Sequence, residues 1–254
     1  MKILVTGASG FIGKNLCFQL EEQGFTDIIK IDRNHSMQEL DAALESVDFI
    51  YHLAGINRPK SEDEFKQGNT DLTTHIVFKL QELNRQTPIL LTSSIQAAQD
   101  NPYGVSKALA EDAVNQYAER SHAKVYIYRL PNVFGKWCRP NYNSVVATFC
   151  HNVVNDLPLV INDPAAKVNL VYIDTVCEHF IHHLNNDERS GEQLIKPIYP
   201  VTVGEIATAL ESFKASKTSL VTENVGTGFL RALYSTYISY YSPEQFSYTV
   251  PAYT

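Results

Sequence analysis

Hydrophobic and polar positions follow two periods along the first half of the chain. Short apolar runs recur at residues 2–6, 28–32, 48–53, 89–93 and 124–130. Each is too short for a helix and reads as a buried strand. Between them lie segments with apolar residues at helical spacing. These are 11–22 (Ile12, Leu16, Leu20), 37–46, 71–84 (Ile76, Leu80, Leu83) and 103–119. The alternation predicts parallel strands joined by helical crossovers. The expected fold class is α/β, a Rossmann-like doubly wound parallel sheet covered on both faces.

The pattern changes after Gly135. Residues 136–143 (KWCRPNYN) read as a loop and 144–155 as a helix. A strand-like run at 168–173 and a helix at 174–185 are expected to return to the main sheet. Beyond residue 201 one helix, 203–213, precedes a Tyr-rich tail. This predicts a main domain of residues 1–135 with about 168–196 returning to it. Residues 136–167 and 197–254 form a smaller C-terminal lobe, expected over the strand ends.

Composition narrows the function classes. The 254 residues carry 21 Lys and Arg against 28 Asp and Glu, a net charge of −7. That balance argues against nucleic acid, whose phosphates call for clustered cations. No apolar run is long enough to span a bilayer. MKILVTG turns polar too soon for a secretory signal. The four cysteines, Cys17, Cys138, Cys150 and Cys177, form no CxxC pair. They read as free thiols of a reducing, cytoplasmic compartment, with no metal site.

The first strand runs into Gly7-Ala8-Ser9-Gly10-Phe11-Ile12-Gly13, and a helix opens at once. Gly7 permits a tight turn, Gly10 lets backbone approach a pyrophosphate, and Gly13 lets the helix pack close. The helix N-terminus presents N–H groups and a positive dipole end to phosphates. The second strand ends at Asp32-Arg33. An acid there favours the ribose hydroxyls of NAD(H), whereas the arginine favours the 2′-phosphate of NADP(H). Both cofactors stay open on these residues.

Tyr103 and Lys107 stand four apart in YGVSK, on one helix face. Of the 14 tyrosines only Tyr103 has a lysine four residues on. A nearby ammonium is expected to lower the phenol pKa and make Tyr103 a general acid/base. Strand four ends in Thr92-Ser93-Ser94. A hydroxyl at a strand's carboxyl end lies where α/β folds bind ligands, and Ser94 is the candidate partner of Tyr103.

The glycine loop, His52-Leu53-Ala54-Gly55, the strand-four serines, Tyr103/Lys107 and Asn132 in RLPNVFG together resemble the extended short-chain dehydrogenase/reductase family. The stretches HLAGINRP, SIQAAQDNPY and PNVFGKWCRPNYNSVVATFC are more narrowly similar to the reductase domains of capsular polysaccharide and O-antigen precursor enzymes. The resemblance implies NADPH-dependent reduction of a UDP-activated 4-keto-6-deoxy amino sugar, towards UDP-2-acetamido-2,6-dideoxy-L-talose. It also implies a homodimer, and in full-length relatives a metal-binding cupin domain that epimerises the keto sugar. This sequence stops at Thr254, about where that domain would begin.

The resemblance assigns roles residue by residue. Gly7, Ser9, Gly10, Phe11, Ile12, Gly13, Asp32, Arg33, Leu53, Ala54, Gly55 and Lys107 would hold the cofactor. Tyr103 would protonate the C4 oxygen, Lys107 would tune it, and Ser94 would orient the carbonyl. Asn132, with Asn143 and Ser144 of the substrate-binding lobe, would contact the UDP side. Lys167 stands where many sugar epimerases have an arginine, and Arg231 is an alternative phosphate ligand.

A nucleotide-sugar 4-epimerase needs the same Tyr, Lys and Ser and remains the alternative. A 4,6-dehydratase is disfavoured. Its family members place Asp-Glu after the serine, where this chain has Ile95-Gln96. A non-catalytic nucleotide sensor would show a broken Tyr/Lys pair. His179, His182 and His183 share a helical stretch at metal-compatible spacing, but no further ligand pattern accompanies them, so they read as a helix face.

Overall fold

The structure is a computed structural model, and it describes residues 1–247 except 60, 62 and 187. It divides into two compact units. Unit 1 comprises Met1–Pro131 and Thr175–Lys196, and unit 2 comprises Asn132–Asp174 and Pro197–Thr254.

Unit 1 is built on strands β1 (Ile3–Thr6), β2 (Ile28–Ile31), β3 (Phe49–His52), β4 (Ile89–Ser94) and β5 (Val125–Leu130). The connecting helices are α1 (Phe11–Glu22), α2 (Met37–Leu44), α3 (Asp63–Phe65), α4 (Leu72–Glu82) and α5 (Pro102–Ser121). The sheet order is β2-β1-β3-β4-β5-β8, where β8 is Gly191–Gln193. All its pairings are parallel, with Thr6 opposite His52 and Ser93 opposite Arg129.

Both faces of the sheet are buried, as the unbroken apolar strands require. Leu4, Ile50, Leu91 and Ile127 pack with Leu40, Leu44, Ile76, Leu80 and Val114 of α2, α4 and α5. On the opposite face Tyr51 donates to the carbonyl of Phe180 at 3.1 Å, in α7 (Ile173–Asn185). Local chemistry sets the helix starts. Ser36 and Glu39 form a capping box at α2. Asn101 caps α5 by accepting from the Gly104 amide at 2.8 Å, with Pro102 opening the helix.

Unit 2 holds a separate three-stranded sheet, β6-β7-β9. Its strands are β6 (Asn132–Phe134), β7 (Lys167–Tyr172) and β9 (Tyr199–Thr202). Its helices are α6 (Val145–Val154), α8 (Val203–Ser219) and α9 (Gly228–Ile238). Phe134, Phe149, Leu170, Leu210, Phe213, Leu233 and Tyr237 form its core.

Three elements differ from the sequence expectation. The run 168–173 does not join the main sheet: β7 pairs parallel with β6 and antiparallel with β9. The strand that does join the main sheet is β8, whose residues Gly-Glu-Gln carry no apolar signal. The helical segment expected at 71–84 begins earlier. After α3, a π-helical stretch (Lys66–Asp71) leads into α4 and buries Asn69. In the Tyr-rich tail, residues 228–238 form α9, while 248–254 lie outside the described residues.

Candidate active site

The glycine loop is shaped by contacts that exclude side chains. Gly7 has φ +69°, and a Cβ there would stand 2.8 Å from the Ala54 nitrogen. A Cβ on Gly13 would stand 2.2 Å from the Gly7 carbonyl oxygen. The loop, the 53–55 segment and the start of α1 therefore meet backbone to backbone. Gly10 is the N-cap of α1 and supplies no side-chain cap. The first turn thus presents main-chain N–H groups and no competing side-chain acceptor, which suits a diphosphate. Ser9 and Gly10 are exposed, whereas Phe11 and Ile12 are half-buried. These features fit a dinucleotide.

Asp32 lies just past the end of β2. Its carboxylate accepts the Ser9 amide through Oδ1 at 2.9 Å and Oδ2 at 3.1 Å. Arg33 beside it is exposed.

A buried hydrogen-bond chain fixes the end of β3. Thr73 donates its hydroxyl proton to the Asn69 carbonyl at 2.6 Å. Its oxygen therefore accepts from His52 Nε2 at 2.8 Å. His52 Nδ1 then accepts from the Thr6 hydroxyl at 2.7 Å, and Thr6 accepts the Ala54 amide at 3.3 Å. Burial lowers the His52 pKa to about 3, and the Lys107 ammonium contributes in the same direction. The imidazole is thus neutral, and the chain ties Ala54 of the 53–55 segment to β1.

Asn69 extends this frame. Its amide group exchanges hydrogen bonds with the Ile56 backbone at 2.8 and 3.0 Å and donates to Ser106 at 2.9 Å. Ser106 donates in turn to the Tyr103 carbonyl at 2.7 Å. A Cβ on Gly55 would meet Asn69 Oδ1 at 2.9 Å and Lys107 Nζ at 3.0 Å, so only glycine leaves this approach open.

Tyr103, Lys107 and Ser94 are brought together at the carboxyl end of β4. Ser94 lies beside Tyr103, near enough to act on its phenol. Ser94 also accepts the Gln96 amide at 3.2 Å, opening a short 3-10 turn (Ile95–Ala98). Lys107 is buried and donates to the Thr92 carbonyl at 3.1 Å. Burial lowers the Lys107 pKa to about 8, opposed by the charge of Glu111. Burial raises the Tyr103 phenol, opposed by the neighbouring Ser94 hydroxyl. Burial, and not the expected lowering by Lys107, sets the direction of the Tyr103 shift.

Unit 2 carries the other sequence candidates. Asn132 is exposed at the start of β6, opposite Leu170. Ser144 caps α6 by accepting the Ala147 amide at 3.2 Å, and Asn143 before it is exposed. Lys167 is exposed at the start of β7, opposite Thr202. Arg231 is exposed on α9, and its charge bears on Tyr172. The three histidines of α7 are engaged separately. His179 bonds the Lys196 carbonyl at 3.0 Å, His182 bonds Glu188 at 3.0 Å, and His183 bonds Tyr128 at 2.8 Å. Among the described residues no group of three or more His, Cys, Asp or Glu is placed to hold a metal. No described helix is long and apolar enough to cross a membrane.

Sequence reading missed Thr6, Asn69, Thr73 and Glu111. Only Glu111 left a signal, since it continues the four-residue spacing of Tyr103 and Lys107.

Comparison with known proteins identifies the family. Residues 3–195 match the NAD dependent epimerase/dehydratase family. The chain is 48% identical over 252 residues to a UDP-2-acetamido-2,6-beta-L-arabino-hexul-4-ose reductase of Pseudomonas aeruginosa, covering 99% of this chain and 68% of that protein. The capsular polysaccharide assembling protein CapF of Staphylococcus aureus superposes with a TM-score of 0.89 at 41% identity, over 98% of this chain and 68% of that one. A UDP-glucuronic acid 4-epimerase of Bacillus cereus, solved with NAD, shares the fold (TM-score 0.77) at 19% identity, over 97% of this chain and 99% of that one. With its nucleotide loop and its Ser–Tyr–Lys cluster in place, the chain belongs to the NAD dependent epimerase/dehydratase family of extended short-chain dehydrogenases/reductases and is an NAD(P)-dependent oxidoreductase.

Proposed function

We propose that this chain reduces the C4 ketone of a UDP-4-keto-6-deoxy-N-acetylamino sugar with NADPH, in capsular polysaccharide or O-antigen precursor synthesis. The observation that carries the reading is Lys107 one turn beyond Tyr103 on α5, with Ser94 beside the phenol, in a chain 48% identical to a reductase of such a ketone.

The residues divide the work as follows. A bound nicotinamide supplies the hydride for the carbonyl carbon. Burial keeps the Tyr103 phenol protonated at neutral pH, so it holds the proton the C4 oxygen needs. Ser94 orients that oxygen and shares its developing charge. Lys107, cationic below about pH 8, holds the nicotinamide ribose and balances the phenolate that remains. A ketone reduction begins from a protonated donor, whereas a 4-epimerase must first take a proton from an alcohol. The 48% identity to a reductase favours this reading over the NAD-dependent 4-epimerase.

For the cofactor we favour NADPH. Asp32 is spent on the Ser9 amide, and Arg33 is exposed beside it for a 2′-phosphate. For the sugar nucleotide we assign Asn132, Asn143, Ser144, Lys167 and Arg231 of unit 2. We place the enzyme in the cytoplasm as a homodimer, working with a cupin epimerase. Among the described residues Cys17, Cys138, Cys150 and Cys177 form no disulfide, which suits a reducing compartment.

The test is loss of reduced-nicotinamide absorbance with a UDP-4-keto-6-deoxy-N-acetylhexosamine, with and without a separate cupin epimerase, using NADPH and NADH in parallel. Oxidation of NADPH is expected. No oxidation with either cofactor, together with NAD retained through purification, would replace this reading with the epimerase.

A further inference from the structure

Glu111 stands one turn beyond Lys107 on α5 and is buried, with 5% of its surface exposed. Its Oε1 accepts the Ser93 hydroxyl at 2.5 Å. Arg129 clasps the same carboxylate, from Nε to Oε1 at 3.0 Å and from Nη2 to Oε2 at 2.6 Å. Ser93 and Arg129 are register partners across β4 and β5. Ser93 also sits between Thr92, which receives Lys107, and Ser94, which lies beside Tyr103. The network is therefore anchored on the same strand and helix as the candidate catalytic groups.

A packing role alone does not explain a carboxylate here. Burying an ion pair costs solvation that a neutral amide of similar shape would avoid. The groups facing Lys107 show what the charge does. From β3 comes His52, which is neutral. From β4 comes the Thr92 carbonyl, and Asn69 Oδ1 lies across the Gly55 position. From α5 come Tyr103, a protonated phenol, and Glu111. Behind Glu111, on β5, stands Arg129, itself 3.6 Å from Glu192. Among these, Glu111 supplies the negative charge that supports a buried ammonium.

We propose that Glu111 is a positioning residue that fixes the charge of Lys107, with Arg129 setting how much of its negative charge Lys107 experiences. The inference rests on the reading of Tyr103 and Lys107 as the catalytic pair.

Two substitutions test it with opposite signs. Glu111→Gln keeps an acceptor for Ser93 but removes the charge and leaves Arg129 with Glu192 as its anionic partner. Arg129→Gln keeps Glu111 but removes its neutralising partner. The Lys107 side chain is titrated by 13C-lysine NMR in the full, cofactor-free chain, its signal identified by its loss in Lys107→Met. The basic limb of kcat/KM for NADPH is measured alongside. Glu111→Gln is expected to lower both midpoints by about one pH unit or more, and Arg129→Gln to raise them. Glu111→Asp, which keeps the charge, is expected to restore the midpoint. Midpoints that stay put, or that move the same way in both variants, overturn the proposal. If Glu111→Gln fails to fold, an unmoved Arg129→Gln midpoint still overturns it. Tyr103→Phe is assayed in parallel. A fully active Tyr103→Phe overturns the catalytic reading, while the NMR titration judges Glu111 separately.

Discussion

The Asp32 carboxylate binds the Ser9 amide with both of its oxygens, at 2.9 and 3.1 Å, across 23 residues of sequence. The acid that sequence offers to an adenosine ribose also braces the glycine loop. On the proposed reading, discrimination at this end of the cofactor falls to Arg33, the exposed cation next to it. Arg33→Ala is expected to raise the KM for NADPH by about ten- to a hundredfold, the cost of a lost charge-assisted contact. NADH should be nearly unaffected. Steady-state kinetics with both cofactors checks this, and equal losses for the two would refute the assignment.

In the proposed reaction Tyr103 donates the proton, with Ser94 beside it. Tyr103→Phe is expected to reduce turnover by about a hundred- to ten-thousandfold, the usual weight of a positioned proton donor. Cofactor affinity, followed by nicotinamide fluorescence, should stay close to the wild-type value because the ring is kept. Substantial turnover in this variant would remove Tyr103 from the mechanism.

The glycine loop predicts a contrast in stability. Gly13→Ala places a methyl 2.2 Å from the Gly7 oxygen, where only backbone can yield. The expected cost is about 1–3 kcal/mol, with weakened cofactor binding. Gly226→Ala meets nothing closer than the Asn224 side chain at 3.5 Å and serves as a nearly neutral control. Urea unfolding of the two variants compares them directly. Equal midpoints would mean that the loop and helix are less closely packed than described.

His52 makes stability depend on acid. Its folded pKa is lowered to about 3 by burial, against about 6.5 for an unfolded imidazole. Between those values the unfolded chain binds more protons, so stability declines as pH falls through that window. His183, lowered to about 4 chiefly by burial, acts with the same sign. His52→Gln should therefore flatten the curve of unfolding free energy against pH between about pH 6.5 and 3, leaving the His183 share. Denaturation midpoints across that range provide the test, and parallel curves for the two proteins would exclude His52 as the source.

Local information carried much of this molecule. The apolar runs at 2–6, 48–53 and 89–93 specify strands because each is too short and too continuous for anything else. Gly7, Gly10 and Gly13 mark the phosphate loop because their spacing follows from backbone geometry within one turn. Tyr103 and Lys107 could be paired because a helix places i and i+4 on one face. Each of these relations spans a few residues, and so the order of residues alone determines it.

What remained was decided by contacts distant in sequence. The run at 168–173 is apolar enough for either sheet, and only its pairing with β6 and β9 decides between them. β8 has no apolar pattern of its own and is a strand because Tyr126, Ile127 and Tyr128 of β5 offer it an edge. Asn69 and Thr73 look like solvent-facing polar residues until His52 and Ser106 close around them. Lys107 illustrates the same point for charge. Its proximity to Tyr103 is local, but its buried ammonium answers to Thr92, His52 and Glu111 across three elements. A side chain's type and spacing are written in the chain, whereas its solvation and charged neighbours exist only once the chain has folded.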